Sequence, residues 1–310
     1  MNQITNTILM IKPVGFRYNE QTASDNYYQH VLEKVSPRSI QEKALHEFNV
    51  FLEVLTSAGV CVLVFEDTGT SGTPDSIFPN NWVSFHADGR VVMYPMYALN
   101  RRSERRTDIF ESLVSDYGFV IGSVKDYTSL EESGKFLEGT GSMVLDRVNK
   151  VCYSAISQRT SQSAVQEFCG DFGYSPVCFV ANQNVEGERL PIYHTNVMMS
   201  VGESFAVICL DAIDDNAMRS DVVSSLEETG KEVVEITEAQ VSRFAGNMLQ
   251  VQGDKACVVM STSAYQSITK KQITTIEKHG TIVHSSLDTI EACGGGSSRC
   301  MMAEIFLPKE

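Results

Sequence analysis

Five copies of one hairpin–helix–strand unit, closed into a ring by the two ends of the chain, give the α/β architecture expected of this 310-residue sequence. Three observations point to it. Four pairs of short apolar runs flank turn-type residues, roughly 50 to 60 residues apart. Each pair is followed by apolar residues at helical spacing and then by another strand-like run. The apolar segments near the two termini assemble into a fifth unit with each other. Units this small cannot fold alone, so they share one core, and residues 1–310 are read as a single domain.

In chain order, Thr7 to Lys12 reads as the first strand and Phe16 to Thr22 as an ordered polar loop. Ala44, Phe48, Phe51, Leu52 and Leu55 mark a helix from Ser39 to Ser57, which Gly59 stops before a buried strand from Val60 to Phe65. Asp67 to Pro79 is rich in Gly, Thr, Ser and Pro and reads as a loop. The first hairpin joins Trp82 to His86 with Arg90 to Tyr94 across Ala87-Asp88-Gly89. A helix from Arg102 to Tyr117 and a strand from Phe119 to Ile121 follow. The second pairs Ser142 to Leu145 with Val151 to Ala155, then continues as helix Ser161 to Phe172 and strand Val177 to Val180. The third pairs Val197 to Val201 with Phe205 to Leu210, ahead of a helical region ending at Thr229 and a strand from Glu232 to Ile236. The fourth pairs Met248 to Val251 with Ala256 to Met260, followed by helix Ser263 to His279 and strand Thr281 to His284. Met301 to Leu307 pairs with Thr7 to Lys12 and closes the ring.

Composition narrows the function classes. With 43% hydrophobic and 21% charged residues the chain is an ordinary globular sequence. A net charge of −14 argues against a nucleic-acid partner, which needs a basic face. The apolar run Ile8 to Ile11 is too short for a signal peptide or a bilayer span, so no membrane partner and a cytoplasmic location are expected. None of the eight cysteines forms a CxxC pair and the six histidines show no ligand spacing; neither a metal nor a cofactor is expected.

The residues at the head of each hairpin carry the chemistry. Asn81, Glu138, His194 with Asn196, Asn247 and Cys300 all precede a first strand. In a ring these positions converge near the axis, where a carboxylate, an imidazole and a thiol meet around one small molecule. Cys300 follows Gly294-Gly295-Gly296-Ser297-Ser298-Arg299, a run whose glycines permit close backbone approach and whose arginine favours a thiolate.

These segments resemble the guanidino-group-modifying, or pentein, superfamily. The resemblance rests on Gly-Gly-x-x-Arg-Cys near the end, Leu137-Glu138-Gly139-Thr140-Gly141 and His194-Thr195-Asn196. Lys12-Pro13-x-x-Phe16 with Asn19-Glu20-x-Thr22-Ala23 looks closest to the arginine-deiminase-related, citrulline utilisation hydrolase branch. The resemblance implies a five-bladed α/β propeller of pseudo-fivefold symmetry. It also implies a hydrolase that cleaves C–N bonds of a guanidino or ureido amino acid through a cysteine-linked intermediate. Carried over, Cys300 is the nucleophile, His194 the general acid/base and Glu138 the carboxylate that grips substrate N–H groups. Arg159 resembles an arginine that binds the substrate α-carboxylate; Arg102, Arg105 and Arg106 lie in a similar arginine-rich run, and Arg102 and Arg299 are further substrate-binding candidates.

Asn81 and Asn196 stand where many guanidinium-binding members carry aspartate. That leaves Glu138 as the main carboxylate and favours a neutral ureido group, to which an asparagine both donates and accepts. Citrulline, or arginine carried past the ureido stage to ornithine and ammonia, is therefore the expected substrate. An amidinotransferase using an amine acceptor and a non-catalytic binding module are the alternatives, and homo-oligomerisation is left open.

Overall fold

Ile40, Ala44, Phe48, Phe51 and Leu55 are all buried on one face of the helix Pro37–Ser57, and the spacing of these apolar residues is what makes the segment amphipathic. Pro37 starts it, and the Ser36 side chain caps it by accepting from the Ser39 N–H. The chain leaves through Gly59 at φ +84°, where a Cβ would lie 2.4 Å from Asp254 Oδ1. It then enters the strand Cys61–Glu66, parallel to Thr7–Lys12. The computed structural model describes residues 2–69 and 72–309.

Ala303–Glu304 pairs antiparallel with Thr7–Lys12 on its other edge, so the two ends of the chain share one three-stranded sheet. Four more sheets among the described residues repeat this pattern: an antiparallel hairpin, a helical crossover and a third strand parallel to the second. They are Val83–Phe85, Arg90–Met93 and Ser123–Asp126; Val144–Asp146, Val151–Ala155 and Ser175–Phe179; Met199–Val201, Phe205–Ile208 and Glu232–Glu235; and Leu249–Gln252, Ala256–Ser261 and Thr281–Ser285. The first strands touch across modules: Ala303–Glu304 packs on Val83–Phe85, and Met199–Val201 on both Val144–Asp146 and Leu249–Gln252. This is a mixed α/β fold. No helix among the described residues is long and apolar enough to cross a membrane.

Several expected boundaries move. The helix expected from Arg102 to Tyr117 is a 3-10 segment, Leu99–Glu104, followed by the shorter helix Asp108–Ser115. Arg101, Arg102 and Arg105 are drawn instead to carboxylates and backbone carbonyls, and Arg105 adopts an extended backbone that ends the turn. The strand expected at Phe119 to Ile121 lies at Ser123–Asp126, because the parallel ladder sets its position: Arg90 faces Ser123 and Met93 faces Asp126. Phe119 is buried by a separate bridge to Lys309. The helix expected from Ser263 to His279 breaks at Ile268 and restarts with a capping box between Thr269 and Gln272. Only Ala303–Glu304 of the expected C-terminal strand is in the ladder. The hairpin Asn182–Val185 with Glu188–Pro191 and the helix Asp288–Gly294 were not expected.

Gln3 ties three segments together. Its Nε2 donates to Leu145 O at 2.9 Å and Val201 O at 3.2 Å, and its Oε1 accepts from the Arg147 N–H at 2.7 Å. Gln3→Ala is expected to destabilise the protein by about 1–3 kcal/mol, because it strips buried backbone groups of their partners. Urea unfolding checks this; an unchanged midpoint and slope show that the N-terminal residues contribute nothing to joining the modules.

Candidate active site

Each head residue sits on or beside one helical turn directly before a first strand. Asn81 ends the 3-10 turn Pro79–Asn81, Glu138 precedes the turn Gly139–Ser142, and His194 precedes Thr195–Met198, which contains Asn196. Asn247 and Cys300 occupy equivalent turns before Leu249–Gln252 and Ala303–Glu304. The turns pack on one another, Gly139–Ser142 lying against both Pro79–Asn81 and Thr195–Met198. The two glycines of the Leu137 to Gly141 segment make this packing possible. A Cβ on Gly139, at φ +49°, would stand 2.2 Å from Asn80 O, and one on Gly141 would stand 2.3 Å from Asn81 Nδ2 and 2.8 Å from His194 Nδ1.

Glu138 is fully buried and heavily shared. Its Oε1 accepts from the Tyr97 N–H at 2.9 Å. Its Oε2 lies 2.8 Å from His194 Nε2, 3.6 Å from Arg159 Nη1 and 3.8 Å from Arg101 Nη1. Burial opposes its ionisation more than any other single influence, yet Arg159, the His194 bond and Arg101 together hold it down to about 2. Burial lowers His194 against the pull of Glu138, so the imidazole is neutral near pH 7. With Glu138 ionised, Nε2 carries the proton and donates it to the carboxylate, leaving Nδ1 as the lone-pair nitrogen.

Cys300 is buried, and two amides reach its sulfur: Asn247 Nδ2 at 3.3 Å and Asn196 Nδ2 at 3.5 Å. Asn247 is itself fixed, donating to Asn196 O at 2.8 Å and accepting from the Arg299 N–H at 3.1 Å. Asn196 Oδ1 is buried without a partner. The glycine loop behind Cys300 is anchored by Tyr193 Oη, which donates to Gly295 O at 2.5 Å, and by Asn26 Nδ2, which donates to Gly294 O at 3.2 Å.

Cys300, His194, Asn81 and Arg159 line one small cavity with Asp75, Arg101 and Tyr193. Glu138 stands behind it through its bond to His194, and Asn196 through Cys300. Arg102 and Arg299 do not join this cluster. Arg102 donates to Met96 O and pairs with Glu131, while Arg299 turns away from the cavity to Glu304 and Met302 O. Arg101, the neighbour of Arg102, occupies the cavity wall: it donates to Asn81 Oδ1 at 2.9 Å and forks onto Glu104 with two bonds of 2.9 Å. Sequence reasoning missed it because the four arginines of this short run, Arg101, Arg102, Arg105 and Arg106, look alike until the backbone is placed.

Glu138 is also not the main carboxylate of an otherwise neutral pocket. Asp25, Asp75 and Glu104 are buried around it. Arg159 is clamped by both oxygens of Asp25, donates to Thr22 O at 3.0 Å and lies over the Tyr193 ring. Asp75 accepts from Asn19 Nδ2 at 2.7 Å and Thr22 Oγ1 at 3.2 Å, and its Oδ1 has no hydrogen-bond partner. Burial pushes the Asp75 carboxyl up against the pull of Arg101. No repeat marked Asp25 or Asp75, since both lie in irregular segments outside the modules. Among the described residues no group of three or more His, Cys, Asp or Glu side chains is arranged to hold a metal ion.

The family described as N,N dimethylarginine dimethylhydrolase, eukaryotic, matches residues 12–307. Among solved structures, the N-terminal domain of ArgZ bound to its substrate, an arginine dihydrolase from the ornithine-ammonia cycle in Cyanobacteria, superposes with a TM-score of 0.72. It is 15% identical, and the match covers 96% of this chain and 97% of that one. Apo ArgZ superposes with a TM-score of 0.74 at 15% identity, covering 98% of this chain and 41% of that longer one. An adduct of dimethylarginine dimethylaminohydrolase with S-methyl-L-thiocitrulline superposes with a TM-score of 0.65 at 15% identity, covering 97% of this chain and 100% of that one. At such identities these likenesses establish a common mixed α/β fold. No curated protein sequence matches the chain.

The depressed Glu138 makes stability depend on pH in a defined direction. Its contribution is fully present above the ordinary glutamate value of 4.5 and is lost as the pH falls towards about 2. Glu138→Gln, which does not titrate, is therefore expected to lose roughly 3 kcal/mol less than the parent protein over that interval. Urea unfolding of both proteins across the acid range measures it. Parallel acid branches show that Glu138 titrates normally.

Proposed function

The chain belongs to the N,N-dimethylarginine dimethylhydrolase family, and on that premise we propose that it hydrolyses C–N bonds of a guanidino or ureido amino acid through a covalent intermediate on Cys300. The observation that carries this reading is the convergence of Cys300 and His194, the latter backed by the Glu138 carboxylate, on one buried cavity also lined by Arg101, Arg159 and Asp75, whose Oδ1 has no hydrogen-bond partner. Such a set suits a zwitterionic amino acid: the arginines face its carboxylate, Asp75 its ammonium group, and Glu138 with the asparagines its planar head. In this reading the five sheets are blades of a single closed propeller domain, with the head turns at its axis. The contacts between successive first strands and the shared terminal sheet support that arrangement.

Turnover begins with transfer of the Cys300 proton to neutral His194. The thiolate, held by the amide N–H groups of Asn196 and Asn247, attacks the central carbon of the head group. Glu138 exchanges His194 for the substrate N–H pair, which frees Nε2 to reach the departing nitrogen. The C–N bond breaks as His194 protonates the leaving amine or ammonia, and the carbon stays on sulfur. His194 then takes a proton from water, whose oxygen attacks the S-linked carbon and returns the thiolate. Asn196 Oδ1, buried and unpartnered, accepts an N–H of the head group. That neutral acceptor, with Asn81, favours a ureido group such as that of citrulline, or an arginine carried through to ornithine with loss of ammonia.

The cavity holds only about 10 Å³ in its closed form, less than any amino acid fills. Substrate entry therefore requires the side chains and loops that line the cavity to move apart.

A product assay for ammonia, citrulline and ornithine across arginine, citrulline, agmatine and methylated arginines tests the proposal. Release of ammonia or ornithine from at least one of them, without a second amine, is the expected result; turnover only with an amine acceptor points to group transfer, and no turnover to binding alone. Cys300→Ser is expected to lower kcat by at least about 10³-fold at unchanged melting temperature. A near-normal rate removes Cys300 from the nucleophile's role. Asn81→Asp with Asn196→Asp is expected to shift the ratio of rates towards guanidinium substrates, and unchanged relative rates on citrulline and arginine defeat the ureido preference.

A further inference from the structure

Away from the cavity that holds Cys300, a second and separate space of about 20 Å³ is lined by Gln3, Ser200, Arg147, Arg299 and Glu304 together with apolar side chains of the first strands, such as Leu145 and Leu249. Two of the five residues named are arginines, and both are buried. They share one carboxylate oxygen: Glu304 Oε2 lies 2.8 Å from Arg299 Nη2 and 3.6 Å from Arg147 Nη2. Arg299 gives a further bond to Met302 O at 2.8 Å, and the Arg147 guanidinium rests 4.1 Å from the centre of the Phe306 ring. The next carboxylate along the chain, Asp146, is already taken by Lys231 Nζ at 3.0 Å. Two cations against one anion leave one positive charge uncompensated in a water-poor setting, where it is expensive. The Ser200 hydroxyl, on the same wall, is buried without a hydrogen-bond partner.

We propose that this space binds a single small monovalent anion of chloride size, held by Arg147, Arg299 and the Ser200 hydroxyl. The anion balances the second arginine and gives Ser200 an acceptor. The volume selects the class: it admits one occupant about the size of a water molecule or halide and excludes tetrahedral oxyanions. Burial pulls the Arg299 guanidinium down from its ordinary value, in keeping with a cation that Glu304 alone does not satisfy. Since Arg299 directly precedes Cys300, the occupant also braces the turn that carries the sulfur.

Thermal unfolding of the intact protein in sodium chloride and in sodium gluconate at matched ionic strength tests this, with sodium bromide as the crystallographic probe. Chloride and bromide are expected to raise the melting temperature along a saturating curve that gluconate, too large for the space, does not produce. Ser200→Ala is expected to raise the half-saturating chloride concentration by roughly threefold to tenfold, the loss of one hydrogen bond. Arg147→Met should abolish the chloride effect. Crystals grown in bromide should show an anomalous peak between Arg147, Arg299 and Ser200. Identical melting curves in chloride and gluconate overturn the proposal, as does water in the space at saturating bromide. A bromide peak whose occupancy leaves the melting temperature of parent and Ser200→Ala alike also overturns it, because the ion is then adventitious.

Discussion

A single carboxylate oxygen, Glu138 Oε2, holds together groups from separate parts of the chain. His194, Arg159 and Arg101 approach it from three modules. A buried carboxylate without partners is unfavourable by several kcal/mol, and a buried arginine without one equally so. Each charge therefore confines the others. The imidazole is neutral chiefly because it is buried, with the arginines disfavouring a third cation beside them, whereas those same arginines stabilise the carboxylate as an anion.

The modular backbone supplies the other constraint. Three modules begin with one tight helical turn that feeds a strand, and these turns bring Asn81, Glu138 and His194 to the same end of their hairpins. Gly139 and Gly141 let neighbouring turns approach to contact distance, and the space a Cβ would need is already filled by Asn80, Asn81 and His194. The chemistry is thus set by backbone packing first and by side-chain identity second.

Much of this was legible because repetition averages over weak signals. The positions of Asn81, Glu138, His194, Asn196 and Cys300 before their strands come from hairpins whose turn residues and alternation agree. Strand-length errors arose where the ladder, and not apolar content, fixes the boundary: Ser123–Asp126 is mostly exposed yet paired, while apolar Phe119 to Ile121 lies outside the strand. Charge was harder to read than placement. Asp25 and Asp75 lie in irregular segments and Arg101 in a short 3-10 turn, where neither period 2 nor period 3.6 marks a residue as inward-facing. Arg299 illustrates the opposite hazard, a cation adjacent to Cys300 in sequence whose side chain is drawn the other way by Glu304.

The sheet shared by Thr7–Lys12 and Ala303–Glu304 has a consequence for how the molecule comes into being. Its partners are about 300 residues apart in the chain, the longest-range strand pairing among the described residues and the one whose loop-closure entropy is greatest. On the ribosome, four modules have their full complement of strands before the last edge of the fifth is synthesised. Cys300 lies in the turn that feeds that late edge, so its sulfur is seated last, after His194, Glu138 and Arg159 are already in the chain.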